Sequence, residues 1–221
     1  MKKIIGFLLF FNLILVQNTF AKEEKTIFGF SLEFPSSKYV VLKEQNEPII
    51  REFLKQNGFK EYPKRITREN EPIDLTRSDA LKTLYKQQQD ETGKNQSEII
   101  VYMGGVLEKG SPIEFIQIAF VNELINFNEF RDRKSLDNVC KEMTDERQIL
   151  KYCEFENLKT KKREFEIIKG KWDVTNRYSK KSERIIYVVP HTNGVIIYHV
   201  YCNMSCKKIE ENFPSIISSV K

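Results

Sequence analysis

The chain has 221 residues, 40% of them hydrophobic and 30% charged, with 36 Lys and Arg against 31 Asp and Glu for a formal charge of +5 at neutral pH. That length and apolar content can bury a sizeable core, and at about 150 residues per domain they favour one domain. No internal repeat, low-complexity tract or Gly, Pro or Ser-rich linker divides the chain, and it carries no recognisable nucleic-acid-binding module, so nucleic acid is not expected as a partner.

The first stretch, "MKKIIGFLLFFNLILVQNTFA", sets two lysines before an apolar run from Ile4 to Val16 and ends on Thr19-Phe20-Ala21. This order predicts a secretory signal peptide over 1–21 with cleavage after Ala21. The run is shorter than the roughly 20 residues that span a bilayer, and no later run is long and charge-free enough to do so. Loss of Lys2 and Lys3 leaves a single α+β domain over 22–221 with a formal charge of +3. The expected location is periplasmic or secreted.

Phe28, Phe30, Leu32 and Phe34 alternate with smaller or polar residues and predict a half-buried strand, followed by a turn at Pro35-Ser36-Ser37 and a strand from Tyr39 to Leu42. Ile49, Ile50, Phe53 and Leu54 lie at helical spacing over 46–57, with Gly58 as a stop. A second helix is expected over 79–89, with Ser78 as a cap and Ala80, Leu81, Leu84 and Tyr85 on one side. Residues 98–107 and 113–121 read as strands joined through "EKGS", with Gly104-Gly105 marking a bulge or a close backbone approach. A helix over 135–150 follows, carrying Leu136, Val139, Cys140, Met143, Ile149 and Leu150.

In "REFEIIKGKWDVTNRY", Lys169-Gly170 reads as a two-residue turn that pairs Ile167 with Trp172 and Phe165 with Val174 on one buried face. Glu164, Glu166, Asp173 and Thr175 then form a solvated face. Asn193-Gly194 lies between two β-rich runs, a strong hairpin signal. Strands at 163–168, 171–178, 184–190 and 195–202 therefore make an antiparallel meander. A closing helix places Ile209, Phe213, Ile216, Ile217 and Val220 along one side, kinked or broken at Pro214.

The two histidines are poor candidates for chemistry. Strand alternation turns His199 away from Cys202 and Tyr198, which disfavours a shared metal or a Cys–His dyad, and His191 falls in or beside a turn as a surface residue. The chain has no G-x-S-x-G elbow, H-E-x-x-H, Walker-type lysine loop or G-x-G-x-x-G. No catalytic, cofactor-binding or metal-ligating residue is assigned.

Four cysteines in an exported chain predict two disulfides. The preferred pairing is local, Cys140 with Cys153 and Cys202 with Cys206, with a Cys140–Cys202 link between layers as the alternative. The spacing of Cys140 and Cys153 does not fit zinc, and "CNMSC" is one residue longer than a C-x-x-C redox couple. Charge is uneven along the chain. Residues 159–184 hold ten bases and four acids, whereas 114–156 hold ten acids and six bases. A solvated face is the simplest reading of 159–184, and peripheral contact with an anionic surface is the functional one.

"FGFSLEFPSSKYVV", the late meander and "ENFPSIISSVK" resemble the two ends of the PsbP-like superfamily, whose members start with a strand running into an F-P turn and end on an aromatic, an aliphatic pair and Ser. Here those positions are Phe34-Pro35, Phe213, Ile216-Ile217 and Ser218-Ser219. The resemblance implies an α/β/α-like sandwich around an antiparallel sheet, used for binding or assembly. The function expected is that of an exported non-catalytic binding or assembly protein of the envelope, of an immunity or inhibitor type. Its expected partner is an envelope protein or a secreted toxin. The alternative is a periplasmic thiol-disulfide or hydrolytic enzyme.

Overall fold

The computed structural model describes residues 22–58, 80–105, 113–159, 164–175, 181–218 and 220. The signal peptide expected over 1–21, Ser78 and Asp79, the "EKGS" connection and the basic stretches 160–163 and 176–180 lie outside the described residues.

β1 (Lys22–Lys25) and β2 (Ser31–Phe34) pair as a separate hairpin. Seven further strands are β3 (Tyr39–Val41), β4 (Ser97–Tyr102), β5 (Phe115–Val121), β6 (Gln148–Lys159), β7 (Glu164–Val174), β8 (Ser182–His191) and β9 (Gly194–Asn203). They form one antiparallel sheet in the order β3-β4-β5-β9-β8-β7-β6. Among the described residues four α-helices accompany it: α1 (Glu47–Gln56), α2 (Ala80–Gln87), α3 (Arg133–Glu142) and α4 (Lys207–Ser218). The protein is of the α+β class.

Both faces of the sheet are apolar because helices cover both. On one face Ile116, Ile185, Tyr187, Tyr198 and Val200 pack with Leu32 and Phe34 of the hairpin and with Ile209, Phe213, Ile216 and Ile217 of α4. On the other, Ile50, Leu54, Leu81 and Leu84 of α1 and α2 cover Ile99 and Val101. Farther along the same face, Leu136 and Cys140 of α3 lie against Ile168, Trp172, Ile186 and Val188. Each buried aliphatic or aromatic side chain of this kind contributes about 1.5–3 kcal/mol.

Several expectations are corrected. The helix expected over 135–150 ends at Glu142, and Ile149 and Leu150 belong to β6. A helix running on to Leu150 would carry Cys153 about 20 Å from Cys140 at 1.5 Å per residue; the observed Cα separation is 6.3 Å because the chain turns back. Thr144 marks the stop, donating to the Cys140 carbonyl at 2.7 Å while accepting the Trp172 indole N–H at 2.8 Å.

Lys169-Gly170 is no turn but the middle of the continuous strand β7, which pairs with β6 and β8. Phe165 and Ile167 face α4, while Ile168 and Trp172 face α3, so the four expected partners do not share a face. The glycine serves packing: the Trp172 ring lies across it, and a Cβ there would overlap the indole. The four-stranded meander exists, but its first strand is β6.

The β8–β9 hairpin forms with its turn one residue earlier than expected. His191 pairs with Gly194, leaving Thr192-Asn193 as the loop. Gly194 opens β9, where a Cβ would overlap the Val121 carbonyl of β5. On α1, Ile50 and Leu54 are buried while Ile49 is 52% exposed. α4 continues through Pro214, held by Phe213, Ile216 and Ile217, which are buried on either side of it.

Candidate functional site

All four cysteines are in disulfides, in the local pairing. Cys140–Cys153 ties α3 to β6, and Cys202–Cys206 ties the end of β9 to the start of α4. The second loop closes because Met204 takes a left-handed backbone, φ 65°. All four side chains are buried, so these bridges lie inside the protein rather than at a reactive surface.

His199 faces away from Cys202 and meets Arg184 instead, with Nη2 at 3.3 Å from its Nδ1. Arg184 is 9% exposed. It donates to the Met143 carbonyl at 3.0 Å and to Gln148 Oε1 at 2.7 Å, and its guanidinium lies over the Trp172 and Tyr201 rings. Met143 is the C-cap of α3, so the cation sits at the negative end of a helix dipole. Burial first, and the Arg184 charge second, push the His199 imidazole down to about 4, leaving it neutral at physiological pH. This group braces the α3–sheet junction.

Two lysines of the basic segment are committed to ion pairs. Lys169 Nζ lies 3.3 Å from Glu156 and 3.1 Å from Glu210, and Lys171 Nζ lies 3.0 Å from Glu183 and 3.1 Å from Glu210. Burial acts to lower the Lys169 ammonium, but Glu210, Tyr152 and Glu156 outweigh it and raise its pKa. Glu183 also accepts the Cys206 backbone N–H at 2.8 Å. The cluster therefore locks the start of α4 to β7 and β8, so Lys169 and Lys171 do not belong to the solvated face expected over 159–184.

At the same end of the sheet, Glu114 is 5% exposed and accepts the Asn203 backbone N–H. Its carboxylate rests on Gly105, where a Cβ would overlap it, which accounts for the Gly-Gly pair as a close approach beyond the end of β4. Burial lifts the Glu114 carboxyl to about 7, opposed by the nearby Lys208.

The opposite end of the sheet carries exposed apolar side chains among polar ones. The turn between β1 and β2 carries Ile27, 47% exposed, and Phe28. Buried Glu98 of β4 pins this turn by accepting the Ile27 backbone N–H, and burial holds the Glu98 carboxyl above its usual range. Phe28 stacks on Phe30 at 5.9 Å and meets Phe120 of β5 at 6.1 Å. His191, expected as a plain surface residue, is built into this group, 5.8 Å from Phe30 and edge-on to Phe120 at 5.6 Å. Leu124, three residues past β5, is 80% exposed.

Beside these rings a cavity of about 180 Å³ opens between the β8–β9 tip and the end of α4. Its floor is Val189, Ile196 and Ile217, with Phe165 and Val220 alongside. Pro190, His191 and Thr192 form its lip. An apolar pocket beside half-buried aromatics suits recognition of an apolar group. The sequence places Phe28 and Phe30 in one strand and His191 in or beside a turn some 160 residues on, and carries no signal that the three meet. Among the described residues no three His, Cys, Asp or Glu side chains are placed to hold a metal ion, and no helix is long and apolar enough to cross a membrane. No family model matches the chain, and no curated protein is significantly similar to it in sequence.

Proposed function

We propose that the chain is an exported, non-catalytic binding protein of the cell envelope or exterior, acting on a protein partner as an immunity, inhibitor or assembly factor does. The observation that carries this reading is the exposed apolar side chains at that end of the sheet. Ile27 stands exposed next to Phe28, whose ring meets Phe120 near His191 and the cavity, and Leu124 stands exposed three residues past the end of β5. Large exposed apolar side chains around an aromatic group are the usual centre of a protein interface. Export is supported by the leader over 1–21 and by two buried disulfides, which form and persist in oxidising compartments.

The test is capture from envelope extract with the mature chain and with an Ile27→Ser, Leu124→Ser variant. Both side chains are exposed, so the melting temperature is expected to stay within a degree or two of the wild type. The wild type is expected to retain a reproducible partner that the variant loses. Equal capture by both refutes this surface.

A further inference from the structure

We infer that the cavity at the β8–β9 tip is a socket for one aromatic side chain of the protein bound at this end, an inference that rests on the reading above. Size is the first argument. An apolar cavity of about 150 Å³ is enough to bind benzene, and this one is about 180 Å³, room for one ring and its methylene but too little for a long acyl chain.

The lining is the second argument. The floor residues Val189, Ile196 and Ile217 are all buried and offer only aliphatic carbon to an entering group. A ring seated there leaves no polar atom of theirs without a partner, so its transfer from water is opposed by no desolvated donor or acceptor. Pro190 and Thr192 of the lip are exposed. The site thus has a dry bottom and a wet rim, the anatomy of an interface hot spot filled by a single anchor.

Ring against ring is the third. Phe165 borders the cavity, and the His191 ring at its lip already packs with Phe30 and Phe120. An incoming ring joins an existing aromatic array, where tilted and edge-on contacts favour it over an aliphatic group of equal size.

The experiment uses the mature chain with methyl-labelled isoleucine and follows Ile196 and Ile217 by NMR. Titration with N-acetyl-phenylalaninamide is expected to shift both methyls, and N-acetyl-leucinamide to bind at least tenfold more weakly. Thr192→Trp, at an exposed lip position, is expected to abolish the shifts without unfolding the protein and to weaken partner capture at least tenfold. Ile196→Phe, which fills the floor, is the second blocking variant. Equal binding of the leucine analogue, no shift with either probe, or unchanged capture by Thr192→Trp overturns the socket. Capture insensitive to Ile27→Ser, Leu124→Ser but lost in Thr192→Trp refutes the wider surface and leaves the socket standing, so the two failures are distinguishable.

Discussion

Replacing Glu114 by Gln tests the electrostatics of the Cys202–Cys206 end. Burial lifts Glu114 from its ordinary 4.5 to about 7, so between those values the folded protein holds a proton that the unfolded chain has lost. Stability from this group is present in acid and falls as pH rises through that window, by about 3 kcal/mol in all at 1.36 kcal/mol per unit. His199 runs the other way. It is held at about 4 against an ordinary 6.5, so its contribution is complete above 6.5 and is lost as pH falls toward 4. The two trends oppose each other in the wild type and flatten its stability across mildly acid pH. Gln keeps an acceptor for the Asn203 N–H and carries no charge. Glu114→Gln is therefore expected to match the wild type near pH 4.5 and to exceed it by about 3 kcal/mol at pH 8, a rise in Tm of roughly 6–12 °C for a chain of this size. Glu98, whose carboxyl is also raised by burial, remains in both proteins and cancels in the difference. Thermal or urea unfolding of both proteins from pH 4 to 8 is the assay. A difference that does not change with pH refutes a raised Glu114 pKa.

Other predictions concern the opposite face and the bridges. Arg184→Met removes the second cause of the His199 depression, so the imidazole titration followed by NMR is expected to move up from about 4 yet stay below 6.5, because burial remains; no movement refutes the contact. Gly170→Ala sets a methyl into the Trp172 ring and is expected to cost about 1–3 kcal/mol in urea unfolding; a neutral result refutes the packing reason for that glycine. The Cys140→Ala, Cys153→Ala pair is expected to lose about 3 kcal/mol and the Cys202→Ala, Cys206→Ala pair about 2, following their loop lengths. The reverse order would show that the loop-entropy account fails here.

Much of the C-terminal half was legible in the sequence. β-branched residues and Asn-Gly announced the β8–β9 hairpin, the stripe Ile209, Phe213, Ile216, Ile217 announced α4, and short spacings announced both bridges. β6 was not legible. Its register shifts between Leu150 and Tyr152, so Lys151 breaks the alternation: Leu150 shares a face with Cys153 and Phe155 rather than with Tyr152. Without a steady period of two, Ile149 and Leu150 looked like the end of a helix. Gly170 misled for a related reason, since a glycine chosen to admit a ring and one chosen for a turn look alike in sequence. Glu114, Arg184 and the cavity owe their character to segments far away in the chain, the Asn203 backbone, the end of α3 and the end of α4. Hydrophobic period carries no trace of such neighbours.

The strand order has a consequence for how the molecule is assembled. β6 to β9 are neighbours in both sequence and sheet, so this block can zip up through short connections. β5 is different: one of its edges pairs with β4, but the other waits for β9, with Phe115 opposite Tyr201 and Val121 opposite Val195. A polypeptide emerging from its N terminus thus presents the bare edge of β5, rich in Ile and Phe, until its last described strand, β9, has been made. That interval is when the chain is most exposed to mispairing with other strands, and the arrival of β9 ends it by joining the two halves of the sheet.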